Sequence, residues 1–137
     1  MTETHKNHSF EIGRLCGKLL AQAEIAQADA VRSVNWSGGR KITDRYYDFC
    51  VAHPAVAFPR LINASKVWTD KRDFGSGEKM KETIKSLELL TQSWPDRFSD
   101  QQKCAFAQGY ALEITTLREE RSEKIREAVK RKEGKND

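Results

Sequence analysis

An all-α fold, a bundle of about five helices, is what this sequence predicts, and three observations predict it. Apolar residues recur at spacings of three and four along most of the chain, and no segment alternates apolar and polar residues as a half-buried strand does. Turn formers and helix breakers interrupt these stripes at Asn35–Gly39, at Pro54 and Pro59, at Asp73–Gly77 and at Trp94-Pro95. Finally, Ser99-Asp100-Gln101-Gln102 has the pattern of a capping box, in which a serine and a glutamine satisfy each other's backbone N–H at a helix start.

The first helix is expected over His8–Val34, where Ile12, Leu15, Leu19, Ala23, Ala26 and Ala30 form one apolar stripe. Gly13 and Gly17 lie four apart on one face and offer close approach to another helix, in return for a weaker helix propensity. Thr43 is placed to cap a second helix reaching about Val51, with Tyr46, Tyr47 and Phe49 available to the core. Pro59 suits the first turn of a third helix, which runs to about Lys71 with Phe58, Leu61, Ile62, Ser65 and Trp68 along one side. A fourth, about Glu78–Ser93, carries Met80, Ile84 and Leu87 and leads to Trp94. The fifth follows the capping box, its stripe continuing through Phe106, Tyr110, Ile114, Leu117, Ile125 and Val129. Glu120/Lys124 and Glu127/Arg131 are i,i+4 pairs in the favourable order. The expected organisation is a flexible N-terminus at 1–8, one helical domain at 9–129 and a charged flexible tail at 130–137.

Composition narrows the classes. One domain is the natural reading of 137 residues, with 38% hydrophobic and 32% charged residues favouring helices with a large solvated surface. No apolar run approaches the roughly 18 residues that a membrane span needs. The opening MTETHKNHS lacks a basic-then-apolar signal region, which argues for a cytoplasmic protein. Cys16, Cys50 and Cys104 are odd in number and far apart, which is no disulfide framework; Cys16 and Cys104 are expected to pack as small hydrophobes.

The net charge of +4 is localised. Residues 40–72 hold seven basic residues (Arg40, Lys41, Arg45, Arg60, Lys66, Lys71 and Arg72) against Asp44, Asp48 and Asp70, and the rest of the chain balances. Charges that share a surface create the field that a polyanion needs, whereas the same charges scattered around solvated helices do not. The same region carries the chain's most distinctive run, ITDRYYDFCVAHPAVAFPRLI at Ile42–Ile62. Its Asp44-Arg45-Tyr46-Tyr47, Ala52-His53-Pro54-Ala55 and Phe58-Pro59-Arg60-Leu61 blocks resemble a part of the C-terminal helical domain of the type I-C CRISPR large subunit. The same part forms the free small subunit made from within the large-subunit gene. Gly13-Arg14-Leu15 is similar to the opening helix of that family, and Phe106-Ala107-Gln108-Gly109-Tyr110 to its closing helix, so the likeness spans about Glu11–Thr116. After Leu61 the chain departs from the family's Ser-Gln-His-His-Leu-like run and reads Ser65-Lys66-Val67-Trp68.

The resemblance implies a helical, non-catalytic small subunit of a Cascade-type RNA-guided complex. Its implied partners are the Cascade backbone and large subunits, a second copy of itself, the crRNA–target DNA hybrid and the displaced DNA strand. Base pairing supplies specificity in such a machine, so a shape-tolerant cationic surface suffices. The seven basic residues are the candidate nucleic-acid contacts, with Arg45 and Arg60 foremost because they lie inside the family-like block. The competing role for both is to pair with Asp44 or Asp48 and pin the loop.

Other chemistry finds little support. Cys50-x-x-His53 has no second ligand pair near it, so no metal is expected. No phosphate-binding Gly-rich motif is present, and Gly38-Gly39-Arg40-Lys41 is a short basic turn. No cofactor or catalytic residue is assigned. Trp36 is read either as a base-stacking group or as a plug for the bundle end. Two further readings stand beside the first: a helical scaffold or adaptor joining proteins without nucleic acid, and an enzyme whose site is assembled only in three dimensions.

Overall fold

The computed structural model describes the backbone of residues 2–34, 42–69 and 76–135, and side chains within 8–28, 45–66 and 77–134. Five helices follow in order: α1 (Thr2–Val34), α2 (Ile42–Ala52), α3 (Pro54–Thr69), α4 (Ser76–Leu90) and α5 (Asp100–Lys135). No strand occurs among the described residues.

The two long helices, α1 and α5, form the spine, and glycine decides how closely they meet. A β-carbon on Gly13 would lie 2.6 Å from the carbonyl oxygen of Gln102. One on Gly17 would fall on the carbonyl oxygen of Phe106, and one on Gly109 on that of Arg14. The helices therefore touch backbone to backbone. The partners climb together along both chains: the Gln102 amide donates to the Ser9 carbonyl at 3.2 Å, Gln22 meets Glu113, Glu24 meets Arg118, and Arg121 reaches the Ala28 carbonyl. α1 and α5 thus run parallel, as alternation over five helices requires. α4 runs against both, since Lys79 meets Glu120 while Thr83 meets Gln22 lower on the spine.

The capping box forms as the sequence predicts. Ser99 N–H donates to Gln102 Oε1 at 2.9 Å, and Gln102 N–H donates to Ser99 Oγ at 3.1 Å. Because the same Gln102 holds Ser9, the cap also fixes where α5 starts against α1.

The core is aromatic at one end. Phe58 and Phe106 are fully buried, with Phe98 and half-buried Trp94 beside them. Phe58 stacks on Trp94 at 5.0 Å and 10°, and Phe106 meets Tyr47 edge-on at 5.0 Å. Tyr47 also meets Tyr110 at 5.5 Å. Three of the five motif blocks from the sequence contribute here: Tyr47 from the first, Phe58 from the Phe-Pro-Arg-Leu block, Phe106 and Tyr110 from the closing helix. A smaller cluster of Ala21, Ile25, Ile114 and Leu117 continues the spine.

Several expectations are corrected. α1 is helical from Thr2, not His8. α3 begins at Pro54, so Pro59 lies inside the helix, not at its start. His53 is the link: its N–H donates to the Phe49 carbonyl at 2.8 Å and its carbonyl accepts from Ala57 at 2.8 Å. Pro59 is exposed, so water can take the Ala55 carbonyl that loses its helical donor. α4 ends at Leu90, before the expected Ser93, and α5 is helical through Lys135, with Glu127 and Arg131 paired at 3.8 Å as the sequence spacing expects. Glu120, which the sequence pairs with Lys124 and whose carboxyl Lys124 does help to hold charged, also takes a short bond from Lys79 of α4 at 2.6 Å. The apolar stripe of α5 also ends earlier than expected, and Val129 is 49% exposed.

Cys104 is exposed, whereas Cys16 and Cys50 are buried. Burial pushes the Cys50 thiol up to about 12 and the Cys16 thiol well above its usual range. Because the thiolate is the reactive form, a thiol reagent at neutral pH is expected to label Cys104 alone in the native protein, and all three cysteines in denaturant. Native labelling of Cys50 at a comparable rate would contradict this packing.

Candidate nucleic-acid interface

The candidate face lies at the corner where α2 meets α3. The inner sides of these helices are fixed by Cys50, Pro54, Ala57, Phe58 and Leu61, all buried. Helical geometry then turns Arg45, Asp48, His53, Arg60, Asn63 and Lys66 outward, and all are exposed. Arg60, Asn63 and Lys66, three residues apart, occupy one solvent face of α3.

Two arginines do more than point outward. The Arg45 guanidinium lies over the Tyr46 ring, 5.9 Å from its centroid, and the Arg60 guanidinium over the Phe49 ring at 5.7 Å. The rings themselves are stacked at 6.3 Å and 30°. His53 meets Phe49 edge-on at 6.3 Å. Among the described residues, no carboxylate pairs with Arg45, Arg60 or Lys66. Pairing of the two arginines with Asp48, expected as the competing role, does not occur; the Asp44 side chain is outside the described residues. Cations held over rings and not neutralised keep their field for a ligand.

Of the seven basic residues proposed from sequence, Arg45, Arg60 and Lys66 are on this face. Arg40, Lys41, Lys71 and Arg72 lie outside the described residues, as does Trp36. As the sequence reading expects, Tyr46, Tyr47 and Phe49 all pack against the core, each half-buried. Tyr47 meets Phe106 and Tyr110, whereas what the sequence reading missed of Tyr46 and Phe49 is that they lie under the two guanidiniums. The available signal was the spacing of four in Arg45, Phe49 and His53, which carries a cation and a ring along one line of α2 to an imidazole just past its end.

Several cations and polar groups elsewhere are paired within the fold. Arg14, in the opening family-like block, is bonded to Glu11, and that bond holds the Glu11 carboxyl below its ordinary range. A cleft of about 290 Å³ between α1, α4 and α5 is lined by Lys18, Gln22, Thr83, Glu113 and Glu120 among others. Its groups satisfy one another: Gln22 Nε2 donates to Glu113 Oε2 at 2.7 Å, Thr83 Oγ1 donates to Gln22 Oε1 at 2.9 Å, and Lys79 Nζ donates to Glu120 Oε2 at 2.6 Å. The bond to Lys79 lowers the Glu120 carboxyl pKa. Buried Glu24 accepts from Tyr110 and Arg118. Among the described residues, no group of three or more His, Cys, Asp or Glu side chains could hold a metal ion, and no helix is long and apolar enough to cross a membrane.

The fold defines a helical-bundle protein with, among the described residues, a cationic, aromatic-backed corner. The chain belongs to the CRISPR-associated protein (Cas_Csd1) family, whose family model matches residues 3–115. All the motif blocks described above fall inside that match. The comparison with curated proteins gives no match.

Proposed function

We propose that this chain is the small subunit of a type I-C Cascade complex, non-catalytic itself, which binds DNA without sequence preference and stabilises the opened target by holding its displaced strand. Membership of a CRISPR-associated family supports the setting. The observation that carries the DNA-binding part is the pair of exposed arginines, Arg45 and Arg60, laid over aromatic rings and unpaired with any described carboxylate. Guide–target pairing reads sequence in such complexes, so phosphate contacts by Arg45, Arg60 and Lys66 are what the subunit needs to supply. Strand cleavage is left to a separately recruited nuclease-helicase.

The partners in this reading are the Cascade backbone and large subunits, a second copy of the chain, the crRNA–target hybrid and the displaced strand, in the cytoplasm. A protein neighbour has a suitable surface on α5. From Cys104 to Thr116 its only charged residue is Glu113, which is bonded to Gln22, while Ala107, Gln108, Ala111 and Leu112 are exposed. That same surface favours the second reading, a scaffold or adaptor that binds proteins only.

Charge reversal separates the two. With few phosphates neutralised, non-specific binding by the isolated protein is expected at a Kd of about 10⁻⁴–10⁻⁶ M at physiological salt and is lost as salt rises. Arg45→Glu with Arg60→Glu is expected to weaken binding at least tenfold at low salt and to flatten its salt dependence. Stability should fall by no more than about 2 kcal/mol, the sum of two exposed cation–π contacts at about 0.5–1 kcal/mol each. Unchanged DNA binding would leave the scaffold reading; parallel loss of folding would give the arginines a structural role.

A further inference from the structure

We infer that Tyr46 and Phe49, with the guanidiniums of Arg45 and Arg60 laid over them, form a stacking site for unpaired bases, so that this face prefers single-stranded to duplex nucleic acid. The inference rests on the DNA-binding reading and specifies the ligand that the same face takes.

The aromatic rings are the reason. Phosphate attraction alone needs cations, and a cation for that purpose gains nothing from a ring beneath it. Here both arginines of the corner lie over rings, at 5.9 and 5.7 Å from the centroids, and the two rings stack on each other. Both rings are half-buried against the core, as is the neighbouring Tyr47, but Tyr47 makes its ring contacts with Phe106 and Tyr110, whereas Tyr46 and Phe49 carry the guanidiniums. A guanidinium is planar and weakly hydrated, and it stacks on aromatic faces as well as binding phosphate. Ring and guanidinium together thus present flat surfaces that extend the tier toward solvent. An unpaired base has two exposed π-faces that fit such a tier, and stacking of this kind tolerates any base. A duplex hides those faces and offers only phosphates and groove edges.

The charges around the tier agree with a strand crossing it. On the α2 wheel, Asp48 lies about 60° to one side of Arg45, and Phe49 about 40° to the other. The acidic group therefore flanks the tier instead of lying across it. Arg60 continues along α3 to Asn63 and Lys66, an exposed polar and cationic line for the phosphates of a strand whose bases rest on the rings. His53 borders the far side of Phe49.

The test uses the full chain and three fluorescent probes of equal length at low salt: a deoxythymidine oligonucleotide, an abasic phosphate backbone and a duplex. One stacked base contributes about 5- to 160-fold in affinity, so the wild-type protein is expected to bind the oligonucleotide about tenfold more tightly than the abasic backbone. Tyr46→Leu with Phe49→Leu should remove that difference while abasic binding stays within twofold and the salt slope is unchanged, because no charge is lost. Arg60→Lys, a surface change that leaves the core untouched, should shrink the same difference by keeping the charge without the plane. Equal wild-type affinity for the oligonucleotide and the abasic backbone would overturn the stacking site alone. So would a preference that survives both variants. Failure of the wild-type protein to bind any probe would remove the DNA-binding reading and the inference with it.

Discussion

Phe106→Ala is expected to destabilise the protein by about 3–5 kcal/mol, the range for truncating a fully buried phenylalanine. The side chain is inaccessible and central: its ring lies 5.0 Å from Tyr47, 5.7 Å from Phe98 and 6.4 Å from Phe58. Removing it leaves a cavity whose walls belong to three other segments, α2, α3 and the stretch before α5. They cannot all collapse onto it at once. Against a total stability of about 5–15 kcal/mol for a domain of ordinary size, the loss would leave much of the protein unfolded at moderate denaturant. Urea denaturation followed by circular dichroism measures it, and a loss under about 1 kcal/mol would contradict the aromatic core described above.

Gly17→Ala is the second large effect, and its sign opposes the propensity rule. Alanine is favoured over glycine inside a helix by about 1 kcal/mol. At Gly17, however, the added methyl falls on the Phe106 carbonyl oxygen and lies 2.7 Å from the Tyr110 nitrogen. Both are backbone atoms, so no rotamer change relieves the overlap. α1 and α5 have to move apart, which loosens Leu20, Ala21 and Phe106 together. A net cost of about 1–3 kcal/mol is expected, the range for overpacking a tight interior. Gly109→Ala, which meets the Arg14 carbonyl from the other side, should behave alike. Gly134→Ala is the control. Nothing lies within 4 Å of that site, so the change should be neutral or stabilise by no more than about 1 kcal/mol. Equal effects at Gly17 and Gly134 would mean that the spine is not held by backbone contact.

These two predictions mark what was legible in the chain. Gly13 and Gly17, four apart, announced a close approach, but a stripe names a buried face and not its partner. That the partner is α5, the helix most distant in sequence, depends on how three intervening helices fold back. The capping box was legible because all its groups are local. The start of α3 was not, because Pro54 and Pro59 both suit a first turn. Pro54 takes the place because it is the buried one, and His53 before it is held out of the helix by the proline ring. Cys104 was misjudged because α5 presents an uncharged outer face that resembles an inner one in sequence. At the candidate site, the charge excess and the family-like block led to Arg45 and Arg60. The tier beneath them was missed because Tyr46, Tyr47 and Phe49 are equally aromatic and all pack half-buried against the core, and only the three-dimensional packing shows which of them lie under a guanidinium.

The central claim is that this subunit holds opened DNA after the guide has paired. It is tested most directly by the dissociation rate of a fully matched target from the assembled complex, with and without this protein. Pairing and target reading belong to other components, so guide binding and assembly should be largely intact in its absence. The opened target should dissociate faster, because the displaced strand loses a cationic surface that opposes re-annealing. Replacing Arg45, Arg60, Lys66 and Lys71 together by Glu should reproduce the faster rate in a subunit that still docks. An unchanged rate without the protein, with normal recruitment of the nuclease, would contradict the claim and leave only the scaffold.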